Sequence, residues 1–117
     1  MEEETTLHLP MPRTKSARMV ADSLIKDPGD TRDLEGFGSS VGASARSLGR
    51  YFSTETGLTF GEWRRRARLI FALERLTQGD PVTTVALDSG YDSPSAFIAM
   101  FKRVLGVAPG AYLSAQR

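Results

Sequence analysis

Two stretches of this chain share one skeleton: residues 57–63 read GLTFGEW and residues 106–112 read GVAPGAY, 49 positions further on. In each, a glycine is followed by an aliphatic residue, two further residues, a second glycine, one residue and an aromatic ring. Such a period means that each copy is one supersecondary unit, and any fold proposed must contain that unit twice. The correspondence continues upstream. Ser44, Leu48, Phe52 and Gly57 are spaced 4, 4 and 5 apart, as are Ser93, Phe97, Phe101 and Gly106. Before them, Leu34, Phe37, Gly38, Val41 and Gly42 align with Val82, Val85, Ala86, Ser89 and Gly90, and the second copy has one extra residue after its glycine.

Helical punctuation fits this register. Met19, Val20, Leu24 and Ile25 mark one face of a helix from Lys15 to about Lys26, which Pro28 and Gly29 end. A short helix follows from about Arg32 to Val41, although Gly36 and Gly38 cost it roughly 1 kcal/mol each in propensity. Ser44 N-caps a third helix that stops at Gly57. Thr59 and Glu62 form a capping-box pattern for a long helix ending before Gly79. Its apolar residues fall into two stripes, Phe60, Trp63, Ala67 and Ile70 against Leu69, Leu73 and Leu76, so it packs on two neighbours and sends the arginines of WRRRAR sideways into solvent. Asp80-Pro81 and Ser93-Pro94 are N-cap and proline pairs, and Pro109 opens a last helix. No run alternates convincingly as a strand. The sequence predicts an all-α fold of about seven helices.

Each copy is thus a short helix, a glycine turn and a longer helix, the helix-turn-helix layout. The small residue of the first helix (Gly38, Ala86) admits a close crossing. The turn glycine (Gly42, Gly90) supplies a positive φ that larger residues resist. Leu48 and Phe52, like Phe97 and Phe101, bury one face of the second helix, and its other face is free to enter a DNA major groove.

Charge patterning agrees. Net charge is +1 overall, but residues 1–35 hold eight acids against five bases, and residues 36–117 hold ten bases against six acids. Residues 44–68 alone contain six arginines and two glutamates, which points to a polyanion partner. With no cysteine there is no disulfide framework and no thiolate site, and the single histidine, His8, is in a polar stretch. No carboxylate pair, phosphate-binding loop or other enzyme constellation is apparent, so no catalytic residue, metal or cofactor is expected. No apolar run approaches a membrane span, and the acidic start does not read as a signal peptide, so a cytoplasmic location is expected.

The segments SARSLGRYFSTETGLTFGEWRRRARL and VALDSGYDSPSAFIAMFKRVLGVAPGAYL resemble the DNA-binding domain of the AraC/XylS family of bacterial transcription regulators, the second especially through Gly90-Tyr91, Phe97, Phe101-Lys102 and the closing glycine, proline and tyrosine. The likeness covers residues 15–117, about nine-tenths of the chain. It implies a first helix-turn-helix at about 31–57, a linker helix at about 59–77, a second helix-turn-helix at about 80–106 and a closing helix at about 109–116, after a flexible tail or linker end at 1–14. It also implies two recognition helices in successive major grooves, about 34 Å apart. By that resemblance Arg46, Gly49 and Arg50 face bases in the first unit; in the second, Ser95, Ala96 and Ala99, at outward positions of the helix, are expected to do so. Phosphate contacts are expected from Ser44, Thr59, Arg64, Arg65, Arg66, Ser93, Lys102 and Arg103.

Arginine pairs bidentately with guanine, whereas the outward set Ser95, Ala96, Ile98 and Ala99 has no long polar side chain. The first unit is therefore expected to supply most sequence readout and the second mostly affinity and register. Gly36, Phe37 and Gly38 depart from the leucine- and alanine-rich helix usual in the family. That leaves a second reading, a protein-interaction module contacting RNA polymerase or another regulator. The family usually places an effector-sensing, dimerising domain before this module. LHLPMPR reads as a linker end, so the chain is expected to be a monomeric fragment of a longer, dimeric regulator.

Overall fold

The computed structural model describes residues 8–115, and among them seven helices and no strand. They are α1 (Lys15–Lys26), α2 (Leu34–Val41), α3 (Ala45–Thr56), α4 (Phe60–Thr77), α5 (Val82–Asp88), α6 (Pro94–Leu105) and α7 (Pro109–Ala115). Residues 1–7 of the expected tail and residue 116 of the expected closing helix lie outside the described residues.

The helices enclose two cores joined by α4. The first gathers Ala17, Val20, Ala21 and Leu24 of α1 with Phe37, Leu48, Phe52, Trp63 and Ala67. The second gathers Leu69, Ala72 and Leu76 of α4 with Val85, Ala86, Phe97, Met100 and Phe101. The two stripes of α4 therefore serve one core each, with Ala72 belonging to the second stripe and Ile70 to neither cluster.

The repeat is a repeat of packing. Phe52 meets Trp63 edge-on with ring centroids 5.3 Å apart, and Phe101 meets Tyr112 edge-on at 5.6 Å. The N-terminal part of α4 thus closes the first module as α7 closes the second. Both copies pass through left-handed glycines, Gly42 at φ 73° and Gly90 at φ 100° in the turns.

The caps follow the sequence at Ser44, Thr59 and Ser93, depart from it at Asp80, and include one the sequence reading did not single out, Asp33. The Asp33 side chain accepts from Gly36 N–H at 2.9 Å, Ser44 Oγ from Ser47 N–H at 3.0 Å and Ser93 Oγ from Ala96 N–H at 3.1 Å, and Thr59 and Glu62 close both arms of the capping box. Asp80, expected as an N-cap, does not cap α5. Its carboxylate accepts from the Arg75 guanidinium, whose other arm reaches Asp88 at 3.0 Å, and Pro81 stands at the cap position.

Two further expectations are corrected. On α1 the buried face is Ala17, Val20, Ala21 and Leu24, while Met19 and Ile25 are each 47% exposed. Ala17, Val20, Ala21 and Leu24 hold the i, i+3, i+4, i+7 spacing that a single face requires, and Met19 and Ile25 fall off it. Residues 8–14 are not a free tail. Leu9 and Met11 pack on the first core, Pro12 is fully buried, and Trp63 Nε1 donates to the Pro10 carbonyl at 2.7 Å. Arg13 N–H, Thr14 N–H and the Thr14 hydroxyl all donate to the Glu55 carboxylate, at 2.7, 2.9 and 2.5 Å.

Candidate nucleic-acid interface

The first recognition helix, α3, is anchored by Leu48 and Phe52, both completely buried. One face being fixed, Arg46 and Arg50, four apart, are both exposed on the other. Arg50 rests its guanidinium 5.2 Å from the Tyr51 ring centroid, and Arg46 is exposed beside the Ser44 cap. Gly49 is half-buried, and a Cβ there would meet only Leu34 Cδ1, at an ordinary 3.6 Å. The fold itself does not demand glycine at 49.

The second recognition helix, α6, is anchored by Phe97, Met100 and Phe101. Ser95, Ala96 and Ala99 are exposed as expected, but Ile98 is half-buried against the second core and does not face outward. The free face of α6 near its N-terminus is small and nearly uncharged, and Lys102 and Arg103, both exposed, follow in its last turn.

The arginines of α4 do not all project into solvent. Arg64 donates to the Arg32 carbonyl and lies 4.9 Å from the Phe60 centroid and 5.4 Å from that of Phe37, with its Nε buried and unpartnered. Burial, and after it the neighbouring Arg68 charge, lowers its pKa from the ordinary arginine value. Arg66 donates to the His8 carbonyl at 2.9 Å, and Arg68 to the Pro28 carbonyl at 3.1 Å. Arg65 is exposed. The backbone carbonyls of residues 8, 28 and 32 come within reach of α4 only once the chain has folded around it, so side-chain patterning does not reveal these bonds. Thr59 is exposed, but its hydroxyl is occupied by the capping box.

On α3, α4 and α6 the exposed basic residues are therefore Arg46 and Arg50, Arg65, and Lys102 and Arg103. Ser44 and Ser93 sit at helix N-termini, where free N–H groups favour anions. The molecule measures 44 × 31 × 21 Å, so its long axis exceeds the roughly 34 Å pitch of duplex DNA. Among the described residues no group of acidic, histidine or cysteine side chains could hold a metal ion. No single helix there is long and apolar enough to cross a membrane.

Comparison with known proteins follows the same lines. The family described as a helix-turn-helix domain matches residues 38–115. The HTH-type transcriptional regulator NimR of Escherichia coli is 39% identical over 113 residues, which is 97% of this chain and 41% of that protein. A putative AraC-like transcription regulator of Streptomyces antibioticus is 32% identical over 90 residues, 76% of this chain and 30% of that one. The chain thus spans less than half the length of these relatives. Among solved structures, the DNA-binding domain of AdpA in complex with a target DNA matches with a TM-score of 0.80 at 28% identity, covering 89% of this chain and 95% of that domain.

Proposed function

The chain belongs to the AraC family of helix-turn-helix transcription regulators, and on that premise we propose that it binds double-stranded DNA sequence-specifically, with α3 and α6 in successive major grooves. The observation that supports this most is the pair Arg46 and Arg50, exposed one turn apart on a helix whose other face is locked by Leu48 and Phe52. Two guanidinium forks held at fixed spacing suit guanine O6 and N7, each worth about 1–3 kcal/mol of discrimination. The small residues Ser95, Ala96 and Ala99 allow α6 to lie close to base edges, and Gly49 allows the same of α3. Phosphate anchoring falls to Ser44 and Ser93 at the helix starts and to Arg65, Lys102 and Arg103. Thr59, Arg64 and Arg66 serve chiefly to hold the scaffold. In this reading the chain acts in the bacterial cytoplasm with RNA polymerase as the downstream partner, which its similarity to bacterial transcription regulators supports.

Selection of binding sites from random duplexes, followed by titration across salt, tests this reading. Arg46→Ala and Arg50→Ala should each relax preference at one base pair in the half facing α3. Neutralising three phosphates should give a log–log salt slope of about −3. A flat slope with no selected sequence would favour the protein-interaction reading instead. Stricter preference in the half facing α6 would contradict the division of labour between the two helices.

A further inference from the structure

The loop between α1 and α2 passes against the end of α5. A Cβ on Gly29 would lie 2.9 Å from the Asp88 carbonyl oxygen, so the backbones of the two modules meet directly there. Arg68, halfway along α4, fills the space beside this contact. Its Nε donates to the Pro28 carbonyl at 3.1 Å and its Nη2 to the Asp30 carbonyl at 3.4 Å, both in the first module. On the other side its guanidinium lies 5.5 Å from the Tyr91 ring centroid, and Tyr91 packs edge-on against Phe97 at 5.7 Å in the second core. A Cβ on Gly90 would come within 2.9 Å of the guanidinium carbon, so the turn of the second module is moulded onto this side chain. Arg68 belongs to neither hydrophobic core.

We infer that Arg68 is a positioning residue that locks the two helix-turn-helix modules at one mutual orientation and thereby fixes the separation of DNA half-sites the chain accepts. The inference rests on the DNA-binding reading above. An α4 of 18 residues sets the distance between modules, but a helix alone leaves each module able to rock about its own packing contact. A planar fork that bonds two carbonyls of one module while lying on a ring of the other opposes that rocking. Lysine cannot replace it, since one ammonium cannot span both carbonyls and cover the ring.

The test uses the whole chain and its selected duplex, with one or two base pairs inserted between the half-sites. Each inserted pair rotates one half-site by about a tenth of a turn, so wild-type affinity should fall about tenfold or more per pair. In Arg68→Ala and Arg68→Lys that penalty should shrink to threefold or less, with binding to each half-site alone unchanged. Residual dipolar couplings, which need no DNA, should fit one alignment tensor for both modules in the wild type and two in the variants. An undiminished spacing penalty with one shared tensor in Arg68→Ala would overturn the inference. Should Arg68→Ala fail to fold, Arg68→Lys decides, because it keeps the charge and the aliphatic stem but loses the planar fork: two tensors are expected and one would overturn the inference. If the wild type selects no duplex, the DNA reading falls while the couplings still judge the lock.

Discussion

Gly38 and Gly49 show how one residue type serves opposite ends within a single module. At Gly38 a Cβ would sit 2.2 Å from the Ala43 carbonyl oxygen, and the glycine also accepts the N–H groups of Gly42 and Ala43 at 2.8 and 3.1 Å. The chain turns so tightly there that a side chain cannot be added without a shift of the backbone. At Gly49 the same methyl would meet ordinary contact only. Gly38→Ala should therefore destabilise by roughly 1–3 kcal/mol through overpacking. Gly49→Ala should instead stabilise by up to about 1 kcal/mol, since it relieves the propensity penalty of an interior glycine. Thermal denaturation of the two variants checks both signs. The same Gly49→Ala protein should bind its selected duplex more weakly if the glycine admits the groove edge, and unchanged affinity would deny it that role.

Among the elements, α1 depends on a partner outside itself. Thr14 stands at its N-cap but makes no capping bond; its hydroxyl and N–H go to the Glu55 carboxylate near the end of α3. The Thr14 hydroxyl, and after it the Thr14 and Arg13 amides, holds the Glu55 carboxyl below its ordinary value. A carboxylate with a depressed native pKa stabilises fully above the ordinary glutamate value of about 4.3, and the contribution disappears as pH falls through the lower native pKa. Glu55→Gln should thus melt earlier than wild type at pH 7, and the gap should close in acid. Equal gaps at pH 7 and pH 3 would contradict this. Such long-range bonds also explain where sequence reading stopped. Phe52 and Phe101, and Trp63 and Tyr112, announced their equivalence through a spacing, because packed apolar side chains must recur with the helical period. Arg64, Arg66 and Arg68 gave no comparable signal, since their partners are main-chain carbonyls, which every residue has. Residues 8–14 read as a tail because prolines break periodicity, although Pro10 offers its carbonyl to Trp63 and Pro12 is buried.

At the scale of the whole molecule, two cores share one helix and a small mutual contact. The only tryptophan, Trp63, belongs to the first core, so its emission reports that module alone while far-ultraviolet ellipticity reports both. Phe97→Ala removes a fully buried ring from the second core, at a cost of about 3–5 kcal/mol. Its ellipticity should fall at temperatures where Trp63 emission stays native. Coincident loss of the two signals would mean that the modules fold as one unit through α4 and Arg68. In the proposed complex the intact pair holds two recognition helices on one face, one DNA turn apart. Methylation protection of guanine N7 on the selected duplex tests it most directly, because N7 lies in the major groove. Two protected clusters about 10 base pairs apart are predicted, with the stronger facing α3. A single cluster, or two separated by about half a helical turn, would contradict it.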